Sequence, residues 1–115
     1  MDFRKNKPPR KFQPAIDSDV EILDYGKIKL ESNEQVSFIN DNKKEYDFVA
    51  KEWGFYATPS INARLVDEGF KTALVKNKEN KYYIMVVELD KIKIFQTYLE
   101  ESNQKIIEWL DELKS

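Results

Sequence analysis

The sequence contains neither cysteine nor histidine, and each absence closes off a body of chemistry. Without cysteine there can be no disulfide, thiolate nucleophile, iron–sulfur cluster or thiolate-ligated zinc, so stability has to come from packing. Without histidine there is no imidazole metal ligand, no Ser-His-Asp triad and no side chain whose unperturbed pKa lies near neutrality. Catalysis by carboxylate, lysine, tyrosine or arginine stays open, but only with a pKa shifted by its surroundings. Long apolar runs are missing too. Nothing approaches the ~20 residues of a membrane span, and Met1-Asp2-Phe3-Arg4-Lys5 is not followed by the apolar core of a signal peptide. A soluble, cytoplasmic protein is expected. There is no P-loop, dinucleotide fingerprint, calcium loop or histidine-based zinc motif, so the sequence nominates no catalytic residue, no metal and no cofactor.

What is present suits a packed domain. The 115 residues are 41% hydrophobic, 35% charged and 13% aromatic, enough large side chains for one core beneath a charged surface. The net charge is −2 but is unevenly placed: Arg4, Lys5, Lys7, Arg10 and Lys11 against Asp2 give residues 1–14 a charge of +4 and leave the remainder at −6. Pro8, Pro9 and Pro14 interrupt that basic stretch, and residues 1–18 are expected to be a flexible arm preceding a single domain over 19–115. The acidic body disfavours a nucleic-acid surface, except through the basic arm itself.

From Val20 onward, strand signals follow one another. Val20-Glu21-Ile22-Leu23 and Ile28-Lys29-Leu30 flank Tyr25-Gly26 and suggest a hairpin. Val36-Ser37-Phe38 and Tyr46-Asp47-Phe48-Val49-Ala50 flank the polar run from Asn40 to Lys44, making four short strands before residue 57. Gly54, between Trp53 and Phe55, marks a bulge or a close backbone approach. Thr58 as a cap, Pro59 as first helical residue and Gly69 as a left-handed stop predict a helix over 59–67. The runs 70–75 and 82–87 flank Asn77-Lys78-Glu79-Asn80 as a second hairpin. The run 82–87, apolar on both faces, is expected to be the most buried strand. Asp90 caps a further helix with Ile92, Phe95 and Leu99 as its stripe, widened by Ile94 and Tyr98. Residues 104–113 fit either a helix or a short strand returning to the sheet. Together these elements predict an α+β domain: a largely antiparallel sheet of about six strands with two or three helices on one face.

One segment stands out for function. Trp53, Tyr56, Thr58, Ser60, Asn62 and Arg64 place aromatics just ahead of a helix N-terminus, whose unpaired N–H groups suit an anion. Arg64 is the only arginine outside the basic arm, and its planar fork can grip an oxyanion at two points. Trp53 or Tyr56 could stack on a base or sugar ring. The first reading is therefore a small accessory or binding module for an anionic small molecule of the nucleotide or nucleotide-sugar class. Against it stands a plain structural role, with Thr58-Pro59 as an ordinary helix start, Arg64 paired to Glu68 one turn on, and Trp53 and Phe55 in the core. The second reading is a protein-interaction or homodimerisation module that uses an exposed strand edge or the segment around Trp109. The third is a histidine-free enzyme with Arg64 as electrostatic stabiliser.

Overall fold

The computed structural model describes residues 1–14 and 18–114; positions 15–17 of the expected arm, and residue 115, lie outside the described residues. The elements run β1 (Asp2–Phe12), β2 (Ile22–Lys29), β3 (Gln35–Ile39), β4 (Glu45–Lys51), β5 (Gly54–Ala57), α1 (Arg64–Asp67), β6 (Phe70–Lys76), β7 (Tyr82–Glu88), α2 (Ile92–Glu101) and β8 (Lys105–Trp109), with 3-10 turns at Leu89–Lys91 and Leu110–Glu112. Strands predominate, helices are few, and the pairs β1/β2, β4/β5, β6/β7 and β6/β8 are antiparallel, an α+β character. The expected single sheet of about six strands is instead three small sheets among the described residues: β1-β2, β3-β4-β5 and β7-β6-β8. Two compact units emerge, Met1–Phe38 with Asp47–Ala57, and Ile39–Tyr46 with Thr58–Ser115.

In the first unit, the stretch read as a flexible arm is an eleven-residue strand. It forms a two-stranded ribbon with β2, pairing Phe3 with Ile28, Arg4 with Lys27 and Phe12 with Ile22. The prolines mislead because a strand tolerates them where no ladder bond is needed. Pro8 and Pro9 fall in the register shift between Lys5 and Arg10, where the ladder is interrupted anyway. Gly26 was expected to turn the chain, yet β2 runs straight through it. Its φ is +139°, and a Cβ there would collide with the Arg4 carbonyl, so only glycine fits the crossing. Asp24 braces this point: its Oδ1 accepts from the Gly26 N–H at 3.0 Å and its Oδ2 from Arg10 Nη2 at 3.0 Å. Those two bonds hold its carboxyl below the usual carboxylate range.

The other hairpin of this unit is tight. Lys51 pairs with Gly54 across a two-residue turn that puts Trp53 at the tip. Gly54 thus ends a hairpin turn, at φ +144°. The buried hydrophobic side chains here are few, Val49 and Ala50 among the described residues, whereas Phe3, Leu23, Tyr25, Phe38 and Phe55 stand exposed.

The second unit holds the denser packing. Strand β6 is central, and Ala73 and Val75 on one of its faces are fully buried beneath Leu99 of α2, with Met85, Phe95, Ile106 and Trp109 around them. The most buried strand is therefore β6 and not 82–87: β7 has a neighbour on one side only, and Tyr82, Tyr83 and Ile84 are exposed. Residues 105–109 resolve the helix-or-strand alternative as a strand, antiparallel to β6. In α2 the stripe is narrower than expected, since Ile94 and Tyr98 are exposed. Asp90 lies inside the preceding 3-10 turn, and no side chain caps the helix.

Candidate functional site

The six residues singled out in the sequence are divided by the fold. Trp53 and Tyr56 belong to the first unit and Thr58, Ser60, Asn62 and Arg64 to the second. Trp53 is 71% exposed, and its ring stacks on Tyr56 with centroids 5.8 Å apart and planes 14° apart. The aromatics are thus surface groups that cover one another.

The expected helix over 59–67 contracts to a turn at 61–63 followed by the four residues of α1. Thr58 and Pro59 lie ahead of that turn, so Thr58 is not the cap. Ala63 stands at the cap position, and Ser60 anchors the turn: its Oγ accepts from the Arg64 N–H at 2.8 Å, and its carbonyl accepts from the Leu65 N–H at 3.0 Å. Asn62 is exposed within the turn. The guanidinium of Arg64 donates through Nε to Glu68 Oε1 at 3.1 Å, the structural pairing weighed above. Leu65 plugs the turn into the core at 0% exposure, and Gly69 ends it at φ +91° as expected. The Arg64 and Leu65 amides, which could otherwise meet an anion, are thus both engaged by Ser60.

Three other surfaces carry unused capacity. The outer edge of β7 has no strand beside it among the described residues, and Ile84 on it is 55% exposed. Beside β7 an open groove of about 390 Å³ lies against α2, walled by Met85, Val87, Phe95, Ile94 and Tyr98. On the opposite side of the sheet β8 is also an edge strand, with Ile107 exposed. Trp109, in the segment read from sequence as a candidate interface, is half-buried. It packs on Phe95 with ring centroids 6.1 Å apart, and the Lys71 ammonium sits 4.9 Å from its ring centre.

The third surface is the ribbon. Its strands carry five cations on β1 and Lys27 and Lys29 on β2 against Asp2 and Asp24, a net +5 in a chain of −2. Arg4 and Lys27 are directly opposite one another, and Arg4 is already ion-paired through Nε with Asp2 Oδ2 at 3.3 Å. Among the described residues no group of acidic side chains is placed to hold a metal ion, and no helix is long and apolar enough to cross a membrane. Comparison with protein-family models, with curated proteins and with solved structures returns no match.

Proposed function

We propose that this chain is a protein-interaction module that completes its packing by taking a protein partner onto its open strand edges and the apolar side chains beside them. The observation that carries this reading is the imbalance in the first unit. Its buried hydrophobics among the described residues are Val49 and Ala50, while the ribbon and the β4–β5 hairpin leave aromatic and aliphatic side chains in water. A two-stranded ribbon is marginal in water by itself, and clustered exposed apolar groups mark contact surfaces. In the second unit, open edges on β7 and β8 offer rows of unpaired backbone donors and acceptors that an added strand would satisfy.

An anion held near residues 58–64 draws less support, because Arg64 faces Glu68 and α1 is a single turn. The interaction reading is tested by placing a photoreactive phenylalanine analogue at Ile84 on β7 or at Ile107 on β8 and irradiating cells of the native host. A cross-linked species above the mass of the chain is expected from at least one position. Irradiation that leaves only chain-sized product at both sites would count against the module.

A further inference from the structure

We infer that the partner is a second copy of this chain, and that the basic β1–β2 ribbon of each copy docks along the open edge of β8 in the other. The inference rests on the interaction reading and adds the occupant and the contact.

Charge is the first argument. The ribbon carries +5. The exposed charges of residues 100–112, the segment that contains β8, are Glu100, Glu101, Glu108 and Glu112 against Lys105, a net −3, with Asp111 buried against Lys71. Two surfaces of opposite sign on one chain attract between copies, and an exchange in which each copy gives its ribbon and receives the other's satisfies both.

Hydrogen bonding and apolar contact are the second and third. The ribbon strands pair only with each other and β8 pairs only with β6 among the described residues, so both contribute an unpaired backbone edge. The ribbon carries Phe3 opposite Ile28 and Phe12 opposite Ile22, exposed apolar pairs at its two ends, and β8 offers Ile107, 48% exposed. Those apolar pairs fit a protein surface better than a phosphate backbone. The rest of the chain, at −7, would be repelled by nucleic acid.

The test is sedimentation equilibrium of the full chain with two charge-reversed variants. One is Lys5→Glu with Lys11→Glu and Lys27→Glu on the ribbon; the other is Glu100→Lys with Glu101→Lys and Glu108→Lys beside β8. All six side chains are exposed. Wild type is expected to dimerise, and the dimer to weaken as salt rises from 0.05 to about 1 M, as screening requires. Each variant alone should associate at least tenfold more weakly, and an equimolar mixture of the two should recover a dimer, because each reversed surface then meets its complement.

A wild type that stays monomeric to about 100 µM overturns the inference, and so does a dimer indifferent to salt. Variants that dimerise as wild type does, or a mixture that fails to recover the dimer, overturn the contact. A monomer that binds duplex DNA or RNA through the ribbon also overturns it. Cross-links from Ile84 or Ile107 to a protein of another mass would leave the interaction reading standing while removing the second copy as the occupant.

Discussion

Asp111 sits where β8 gives way to the last 3-10 turn, and its two carboxylate oxygens face different partners. Oδ2 accepts from Lys71 Nζ at 2.9 Å and Oδ1 from the Thr72 N–H at 3.1 Å, with the side chain only 7% exposed. Burial pushes the carboxyl up, but the hydrogen bonds from Lys71 and the Thr72 amide outweigh it and hold the group below its ordinary range. A native value below the unfolded one means the stabilisation is fully present above the unfolded carboxyl value, near 4, and drains away as pH falls through the native value. Asp111→Ala is expected to cost about 1.5–3 kcal/mol, the range for a lost hydrogen bond to a charged group, read as a lower urea midpoint at pH 7. Asp111→Asn keeps an acceptor for the Thr72 amide, so it should cost less and flatten the fall in stability between pH 6 and pH 2. Acid curves for wild type and Asp111→Asn that run parallel would show that the ionised carboxylate contributes nothing.

At the scale of elements, what could be read in the sequence was what local chemistry dictates. The 70–76 and 82–88 hairpin, the Ile92, Phe95 and Leu99 stripe of α2 and the Gly69 stop follow from alternation, helical spacing and left-handed backbone, which are properties of neighbouring residues. Long-range pairing was hidden. Nothing in the 82–87 run says that it lies at an edge, since an apolar strand reads alike whether a partner covers it within the chain or from another. The basic, proline-broken residues 2–12 read as an arm because the apolar pairs that order them, Phe3 with Ile28 and Phe12 with Ile22, join residues at least ten positions apart in sequence. For the candidate site, the Arg64 to Glu68 ion pair was legible as an alternative from its four-residue spacing. The shortening of α1 was not, because Ser60 competes with Thr58 as the hydrogen-bond acceptor that starts the turn. The ribbon itself hinges on Gly26. Gly26→Ala forces a Cβ against the Arg4 carbonyl at a φ that side chains rarely adopt. The expected result is a ribbon that trypsin cuts after Arg10, Lys27 and Lys29 several-fold faster than in wild type, with the β6–β7 hairpin still protected. Unchanged cleavage would mean that the backbone crossing is looser than the structure has it.

For the whole molecule, the two units differ in how much of their stability each can hold alone. The second unit owns a contiguous core of Ala73, Val75 and Leu99 ringed by larger side chains. In the first, Val49 and Ala50 are the buried hydrophobic side chains among the described residues and Val36 and Phe48 are half-buried, and the burial still missing is proposed to come from a partner. Local stability should follow that division, with the first unit drawn from the low end while the chain is free and raised on association. Hydrogen exchange followed by mass spectrometry, at sub-micromolar concentration and again near 100 µM, reads this most directly. Peptides over 22–29 and 47–57 are expected to exchange much faster than those over 70–76 in the dilute chain and to gain protection at the higher concentration. Peptides of the first unit that are as protected as β6 at both concentrations would contradict it, since a unit already that stable has no packing left for a partner to complete.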